Sequence, residues 1–273
     1  MTAVVFAYSS VGCECLEELL DSGVAVPIVF THEDDPGEER WFRSVRELAE
    51  ARGVPVILTP QRLGQEEAGT IRAAAPDVIF SFYYRFMIPE AILALAPAFN
   101  MHGSLLPRYR GRACVNWAVL NGEAETGVTL HHMVARPDAG RIVDQEAVSI
   151  GPDETAIEVF RKIIPAARIC LRRALPDIIA GRAYGVEQDE SKATYFGRRR
   201  PEDGLIDWSR SAREVHNLVR AVTHPFPGAF TFVDGRRLFI WSSAVSEGGG
   251  SHPQGGIPCG GGGALIIKEA QWE

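Results

Sequence analysis

Residues 4–30 read VVFAYSSVGCECLEELLDSGVAVPIVF, and this stretch decides the fold class. The apolar runs at residues 4–8 and 26–30 have the length and composition of buried strands. Between these runs, Leu16, Leu19 and Leu20 recur at helical spacing. A strand, a helix and a second strand in this order predict a βαβ unit, in which the two strands run parallel.

The same alternation continues along the first half of the chain. Residues 54–58 and 78–82 are further buried-strand candidates, and helical patterns at 42–49 and 65–75 precede them. Buried strands that alternate with helices are typical of a parallel sheet covered on both faces. We therefore predict an N-terminal domain over residues 1–190 with an α/β, doubly wound, Rossmann-like sheet.

The later half has a different pattern. Its predicted elements are strands at 128–134 and 141–150, helices at 154–181 and 213–221, and short strands at 229–233 and 238–242. This pattern predicts a smaller β-rich C-terminal domain over residues 204–273. The glycine-rich segment 248–263 is typical of a flexible loop, with a phosphate cradle as the other interpretation.

Composition narrows the class of protein. The 273 residues include 28 Lys and Arg against 35 Asp and Glu, a net charge of −7 that disfavours a broad nucleic-acid surface. The five cysteines are odd in number and scattered, so we predict neither a disulfide framework nor a metal site. We also expect no membrane span, because no apolar run approaches about 20 residues, and a cytoplasmic location.

The turn after the first predicted strand gives no sign of a dinucleotide cofactor. Residues 7–12 read AYSSVG and lack the three-glycine fingerprint, and the chain has no GxxxxGK[ST] motif. A nicotinamide or flavin cofactor is therefore not predicted.

Residues 98–112 read AFNMHGSLLPRYRGR and carry the clearest candidate site. Strand alternation predicts that Asn100, His102 and Ser104 point to one side. In doubly wound folds, ligands bind beyond the carboxyl ends of the strands. An imidazole suits proton transfer near neutral pH, an amide can donate to a developing oxyanion, and a hydroxyl is a candidate nucleophile.

Asp138 lies in a turn, RPDAG at residues 136–140, between two predicted strands. A carboxylate in such a turn is often only a turn-former. A carboxylate beside an imidazole favours the protonated ring and raises its pKa, which suits a proton carrier. Both interpretations of Asp138 remain open at this level.

Several motifs in order resemble those of the 10-formyltetrahydrofolate-dependent formyltransferases. They are FSFYYR at 80–85, NMHGSLLPRYRGR at 100–112, TGVTLH at 126–131, DAG at 138–140 and FGRRRPEDG at 196–204. The resemblance implies that an acceptor amine attacks the formyl carbon of the folate. It implies that Asn100 holds the oxyanion, that His102 carries protons and that Asp138 orients His102. Direct attack by an amine leaves Ser104 without a nucleophilic role.

The resemblance also implies where the formyl donor, 10-formyltetrahydrofolate, binds. The predicted residues are Phe86, Met87, Ile88, Arg112, Val134, Ala135, Arg136, Pro137 and Asp138. In the family, backbone groups make most of these contacts. Phe86 stands where the most similar relatives have His, and Cys114 stands where the family commonly has Pro.

Within the family the chain most resembles the formyltransferase portion of a bifunctional polymyxin-resistance enzyme. That resemblance implies UDP-4-amino-4-deoxy-L-arabinose as the acceptor. A dTDP-linked amino sugar is an alternative, because the catalytic motif does not distinguish acceptors. Methionyl-tRNA is another, but the acidic segment at residues 32–40 disfavours a tRNA partner. A folate-binding module without activity predicts a broken catalytic set, and the set is intact.

The remaining polar residues have structural interpretations. In a strand, one of His131 and His132 is expected at the core edge and the other in solvent, without a metal. His216 and His224 are expected at the surface or in packing. Arg198, Arg199 and Arg200 could meet a diphosphate or form a solvated turn.

Overall fold

A computed structural model describes residues 1–34, 40–60, 62–246, 256–261 and 263–273. The strands are β1 (Thr2–Ala7), β2 (Ala25–Thr31), β3 (Val56–Leu58), β4 (Val78–Phe82), β5 (Ala98–His102), β6 (Arg110–Gly111), β7 (Glu125–His132), β8 (Ile142–Ser149), β9 (Tyr195–Phe196), β10 (Ala229–Val233), β11 (Arg236–Ser246), β12 (Ile257–Pro258) and β13 (Ala264–Trp272). The helices are α1 (Ser9–Asp21), α2 (Val45–Ala51), α3 (Gln65–Ala74), α4 (Glu90–Leu93), α5 (Cys114–Leu120), α6 (Ala156–Ile179) and α7 (Ala212–Val222).

The chain forms two compact units, and each is built from more than one segment. The first comprises Met1–Arg110, Gly127–Ala147 and Lys162–Tyr195. The second comprises Gly111–Thr126, Val148–Arg161 and Phe196–Glu273. The division into continuous domains 1–190 and 204–273 stays a prediction.

A seven-stranded sheet in the order β3-β2-β1-β4-β5-β7-β8 organises the first unit. The pairs from β3 to β5 are parallel, as the βαβ pattern predicts. The next pair, β5 with β7, is antiparallel, so the parallel sheet continues into an antiparallel edge that the sequence pattern does not predict. Sequence periodicity does not report strand direction, because buried strands of either direction are apolar.

The apolar runs are buried on both faces of this sheet, which confirms the predicted α/β class. Val4 and Phe6 of β1 share a cluster with Phe30 of β2, and the Phe6 and Phe30 rings stack with centroids 4.8 Å apart. Ile71 of α3 packs into the same cluster. Val5, on the opposite face of β1, is also fully buried.

The second unit contains the predicted β-rich part. Strands β10, β11, β13 and β12 form a four-stranded sheet in that order, and α7 contacts it. Helix α7 begins at a capping box, in which the Ser211 hydroxyl accepts from the Glu214 N–H and the Glu214 carboxylate accepts from the Ser211 N–H. In the glycine-rich segment 248–263, residues 257–258 form β12 rather than a loop, whereas residues 248–255 and 262 lie outside the described residues.

Other boundaries differ modestly from the predictions. The strand predicted at 54–58 covers only Val56–Leu58, and the helix predicted at 154–181 is Ala156–Ile179. The strand predicted at 238–242 is longer, Arg236–Ser246. In the described ranges no helix is long and apolar enough to cross a membrane.

Candidate active site

The end of β5 carries two of the predicted site residues. Asn100 and His102 are two positions apart in this strand and therefore point to the same face. The prediction that Ser104 shares that strand face is wrong, because β5 ends at His102. The Ser104 hydroxyl instead lies 2.7 Å from the carbonyl oxygen of Arg108, to which it donates. Ser104 therefore closes the loop that follows the strand.

The His102 ring is buried, with 7% of its surface exposed, and both of its nitrogens face a polar atom. Its Nε2 lies 2.8 Å from the carbonyl oxygen of Tyr109. A carbonyl oxygen only accepts, so Nε2 carries a hydrogen in this contact. The neutral ring then has its lone pair on Nδ1, which lies 3.4 Å from Oδ1 of Asp138.

Asp138 lies in the loop between β7 and β8, with a backbone φ of +55°. Aspartate tolerates this left-handed conformation better than most residues, which fits the turn-former interpretation. The carboxylate nevertheless points inward and is only 13% exposed. Its Oδ1 approaches His131 Nε2 at 3.7 Å as well as His102. Asp138 thus serves the turn and faces the imidazole.

The antiparallel pairing of β5 with β7 brings His131 into the site. Asn100 and His131 are directly opposite each other in the ladder, and Asn100 Nδ2 lies 3.1 Å from His131 Nε2. His131 Nδ1 lies 2.8 Å from the carbonyl oxygen of His132, so Nδ1 donates and Nε2 accepts. The Asn100 amide therefore donates one of its two hydrogens to His131 Nε2, and the other hydrogen takes no part in this bond.

The strand interpretation of the two adjacent histidines is therefore only partly right. His131 is buried, as expected for one of the pair. His132 is half-buried rather than solvent-facing, with its Nε2 2.6 Å from the carbonyl oxygen of Ala183, and burial lowers its pKa. Sequence alone does not show the register that places His131 opposite Asn100.

Two segments predicted to bind the folate, residues 86–88 and 134–138, begin beside the apolar cluster that contains Phe6 and Phe30. Ile88 belongs to the cluster, and Met133 packs against it. The neighbouring apolar side chains reach the surface, since Met87 is 60% exposed and Val134 is 46% exposed. Phe86 is half-buried, with its ring centroid 4.9 Å from that of His32.

The other predicted folate residues are distributed as follows. Ala135, Arg136 and Pro137 are exposed along the loop that leads to Asp138. The Arg136 guanidinium forms an ion pair with Glu190 at 3.0 Å. Arg112 belongs to the second unit. The assignment of all these residues to folate stays a prediction.

Gln188, which the sequence does not single out, contacts the Asp138 turn directly. Its side-chain amide donates to the carbonyl oxygens of Asp138 and Gly140 at 2.8 and 2.7 Å. Gln188 lies 50 positions from Asp138 in a segment with no recognisable motif, so no sequence signal points to it.

The remaining polar residues singled out in the sequence have structural surroundings. His216 Nδ1 lies 2.9 Å from Ser243 Oγ, and burial lowers the His216 pKa. The His224 ring stacks on Trp241 with centroids 3.7 Å apart. Arg199 lies over the Trp117 ring at 4.8 Å, whereas Arg198 and Arg200 are exposed.

All five cysteines are free thiols. Burial raises the pKa of Cys13 and of Cys170 to about 12, and it raises that of Cys15 as well. These three thiols therefore stay protonated and unreactive at neutral pH. In the part of the chain that the structure describes, no group of three or more His, Cys, Asp or Glu residues could hold a metal ion.

The end of β5 provides an amide N–H donor and an imidazole whose neutral form accepts a proton at Nδ1, and the neighbouring loop provides a carboxylate 3.4 Å from that nitrogen. An N–H donor can stabilise negative charge that develops on a carbonyl oxygen. An imidazole beside a carboxylate can accept a proton and hold it as imidazolium. This combination suits acyl transfer to an incoming amine without a nucleophilic side chain.

Solved structures with the same fold include two N-formyltransferases and HypX. The N-formyltransferase from Helicobacter canadensis, in complex with folinic acid and dTDP-3-aminofucose, aligns at a TM-score of 0.78 and 22% identity over 100% of this chain and 99% of that chain. WlaRD, a sugar 3N-formyltransferase in the presence of dTDP and 5-N-formyl-THF, aligns at 0.76 and 20% over 100% and 97%. HypX from Aquifex aeolicus with tetrahydrofolic acid aligns at 0.67 and 18% over 98% of this chain and 44% of that chain. This chain therefore has the formyltransferase fold.

Family profiles match both parts of the chain. The profile of Formyl transferase matches residues 2–175, and that of Formyl transferase, C-terminal domain, matches residues 199–273. The chain belongs to the formyl transferase family.

Proposed function

We propose that this enzyme transfers the formyl group of 10-formyltetrahydrofolate to the amine of a nucleotide-linked amino sugar, with UDP-4-amino-4-deoxy-L-arabinose as the favoured acceptor. The observation that carries the proposal is the 3.4 Å approach of His102 Nδ1 to Asp138, with Asn100 on the same strand face. The catalytic roles below rest on that arrangement.

Asn100, His102 and Asp138 have different roles in the proposed reaction. Asn100 donates one N–H to His131 and uses the other to stabilise negative charge on the formyl oxygen. His102 accepts a proton from the attacking amine at Nδ1, because Nε2 already donates to the Tyr109 carbonyl. Asp138 stabilises the positive charge of the resulting imidazolium, whose Nε2–H still donates to the Tyr109 carbonyl. As the bond between the formyl carbon and the folate nitrogen breaks, His102 returns the proton from Nδ1 to that nitrogen, so that tetrahydrofolate leaves and the amine keeps the formyl group.

The residues predicted for the formyl donor fit a flat heterocycle. Met87 and Val134 expose apolar surface, and each lies next to a residue anchored in or against the same core cluster. Main-chain groups of residues 134–138 would supply polar contacts, apart from the N–H that Pro137 lacks and the Asp138 carbonyl oxygen that accepts from Gln188. When bound, 10-formyltetrahydrofolate supplies the electrophilic formyl carbon. The folinic acid, 5-N-formyl-THF and tetrahydrofolic acid of the fold neighbours support this choice of donor.

The acceptor has two candidates within one chemical class. The resemblance to the formyltransferase portion of the polymyxin-resistance enzyme favours a UDP-linked 4-amino pentose. Two fold neighbours were solved with dTDP-3-aminofucose or with dTDP, and this favours a dTDP-linked amino sugar as the second candidate. Both candidates need the same proton transfers at His102, because both present a primary amine.

A panel of acceptors tests the proposal. The protein is incubated with 10-formyltetrahydrofolate and, separately, with UDP-4-amino-4-deoxy-L-arabinose, dTDP-linked 3-amino and 4-amino hexoses, and methionyl initiator tRNA. Mass spectrometry then measures the gain of one formyl group. We expect gain on the UDP-pentose. Gain only on dTDP-sugars overturns the choice of nucleotide, and gain only on the tRNA overturns the sugar class.

A pair of matched substitutions controls for indirect effects. His102→Gln removes the proposed proton carrier, and His224→Gln makes the same change at a ring that stacks on Trp241. We expect the first variant to lose about 100-fold or more of the rate and the second to keep most of it. Equal activity of the two variants would contradict the role of His102.

A further inference from the structure

The buried side-chain amide of Gln188 makes four hydrogen bonds, two as donor and two as acceptor, and so has no hydrogen-bonding position left unused. Its amide nitrogen donates to the carbonyl oxygens of Asp138 and Gly140, 2.8 and 2.7 Å away. Its amide oxygen accepts from Nε and Nη2 of Arg110 at 3.1 and 2.6 Å. Carbonyls only accept and a guanidinium only donates, so this environment fixes the orientation of the amide.

Arg110 connects Gln188 to the other side of the site. Its side chain is fully buried, and it follows Tyr109, whose carbonyl oxygen accepts from His102 Nε2. Glu190 neutralises the guanidinium charge, with Nη2 of Arg110 2.6 Å from Oε1 of Glu190. Arg110 therefore joins the Gln188 amide to the residue whose carbonyl oxygen accepts from the His102 ring.

The turn to which Gln188 donates contains a residue in a strained backbone conformation. Asp138 has a φ of +55°, and such a residue costs roughly 1 kcal/mol or more unless its surroundings hold it. Gly140 packs so closely on β7 that an added Cβ would lie 1.8 Å from the His132 carbonyl oxygen. The two bonds from Gln188 hold the carbonyls on either side of Ala139, so they fix both ends of this tight segment.

We propose that Gln188 is a positioning residue for formyl transfer: by joining the Asp138 turn to Arg110, it sets the distance between the Asp138 carboxylate and the His102 ring. The proposal rests on the roles given above to His102 and Asp138. Gln188 acts through the carbonyl oxygens of the turn and not on substrate. Two titratable groups of the described residues face His102: the Asp138 carboxylate at 3.4 Å, and His131, whose ring centroid is 6.4 Å away.

Two substitutions separate positioning from simple stabilisation. Gln188→Glu keeps an oxygen for Arg110 but cannot donate to the two carbonyls, so the turn is released while the buried guanidinium stays paired. Glu190→Gln is the matched control, because it removes the carboxylate from Arg110 and leaves Gln188 intact. Both variants alter the charge balance around Arg110, and only the first removes the bonds to the turn.

Steady-state kinetics provides the first readout. For Gln188→Glu we expect kcat to fall about 10- to 100-fold, since small displacements of catalytic groups have effects of this size, with each KM within about threefold. We also expect the pH profile of kcat to shift. Glu190→Gln should keep the wild-type kcat within about threefold and the wild-type pH profile, even if its melting temperature falls. A wild-type kcat and profile in Gln188→Glu would overturn the proposal.

A second readout needs no turnover and therefore separates this proposal from the proposed function. In protein labelled with ¹⁵N-histidine, NMR follows the titration of His102, assigned by its loss in His102→Gln. We expect Gln188→Glu to move this titration and Glu190→Gln to leave it in place. If Gln188→Glu leaves it unchanged, or if both variants move it equally, Gln188 does not position the pair. Absence of formyl transfer by the wild type would instead count against the proposed function alone.

Discussion

The Nε2 atom of His102 lies 2.8 Å from the carbonyl oxygen of Tyr109, and this contact assigns different tasks to the two ring nitrogens. Nε2 is committed to a bond within the protein, so proton exchange with a substrate falls to Nδ1. Oδ1 of Asp138 lies 3.4 Å from the same nitrogen. A main-chain carbonyl thus selects the tautomer that the proposed chemistry needs.

Replacing Asp138 by Asn should separate its charge from its conformation. Asparagine also tolerates a φ of +55°, so the turn should survive while the carboxylate is lost. We expect kcat to fall by about 10²-fold or more with a melting temperature close to that of the wild type. Asp138→Ala should add a stability loss of roughly 1 kcal/mol, because alanine is strained at this φ. A kcat for Asp138→Asn within threefold of the wild type would remove Asp138 from the mechanism.

The two adjacent histidines offer a matched test of Asn100 orientation. His131→Leu removes the acceptor for the Asn100 amide, and we expect kcat to fall about tenfold because the amide is then free to rotate. His132→Leu removes a bond to the Ala183 carbonyl instead, so it should cost roughly 1 kcal/mol of unfolding free energy and little activity. Denaturant unfolding and steady-state kinetics measure both effects. Similar kcat losses in the two variants would show that His131 has no special role.

Glycine is required at position 140 by space. An added Cβ would lie 1.8 Å from a backbone oxygen, so Gly140→Ala must displace the Asp138 turn. We expect a kcat loss of about 100-fold and a loss of roughly 1–3 kcal/mol in unfolding free energy. Gly69→Ala in α3 is the control: nothing lies within 4 Å of its Cβ, and alanine should stabilise the helix by about 0.5–1 kcal/mol. Full activity in Gly140→Ala would show that the turn can move without consequence.

Glu18 should make the stability of the first unit depend on pH. Its carboxylate is 3% exposed, and hydrogen bonds from Arg172 and then Arg168 hold its pKa below the ordinary value of 4.5, although burial opposes them. A carboxyl group whose pKa is lower in the folded state stabilises the fold above the unfolded-state pKa, and this contribution is lost as the pH falls below it.

Glu18→Gln should therefore cost roughly 1.5–3 kcal/mol at pH 7, and the difference from the wild type should shrink below pH 4.5. Urea unfolding at several pH values measures this. Glu50→Gln, at an exposed pair with Arg46, should change stability by no more than about 0.5 kcal/mol. A pH-independent loss in Glu18→Gln would mean that packing, rather than charge, accounts for the effect.

Much of this protein can be predicted from local patterns. The apolar runs and helical spacing of residues 4–30 predict the βαβ unit, because a strand buried on both faces needs an almost continuous apolar sequence. The alternation of Asn100 and His102 along β5 predicts their common face. Alternation places Ser104 wrongly, because β5 ends at His102 and the Ser104 hydroxyl donates to the Arg108 and Tyr109 carbonyls of the loop.

Tertiary structure alone decided the remaining relationships, because each depends on contacts between distant segments. The antiparallel pairing of β7 with β5 places His131 against Asn100, and periodicity carries no information on strand direction or register. The turn at Asp138 could be recognised in the sequence, but its inward carboxylate and its bonds to Gln188 could not. The sequence thus determined which side chains are available for chemistry, and the packing of separate segments determined which of them meet.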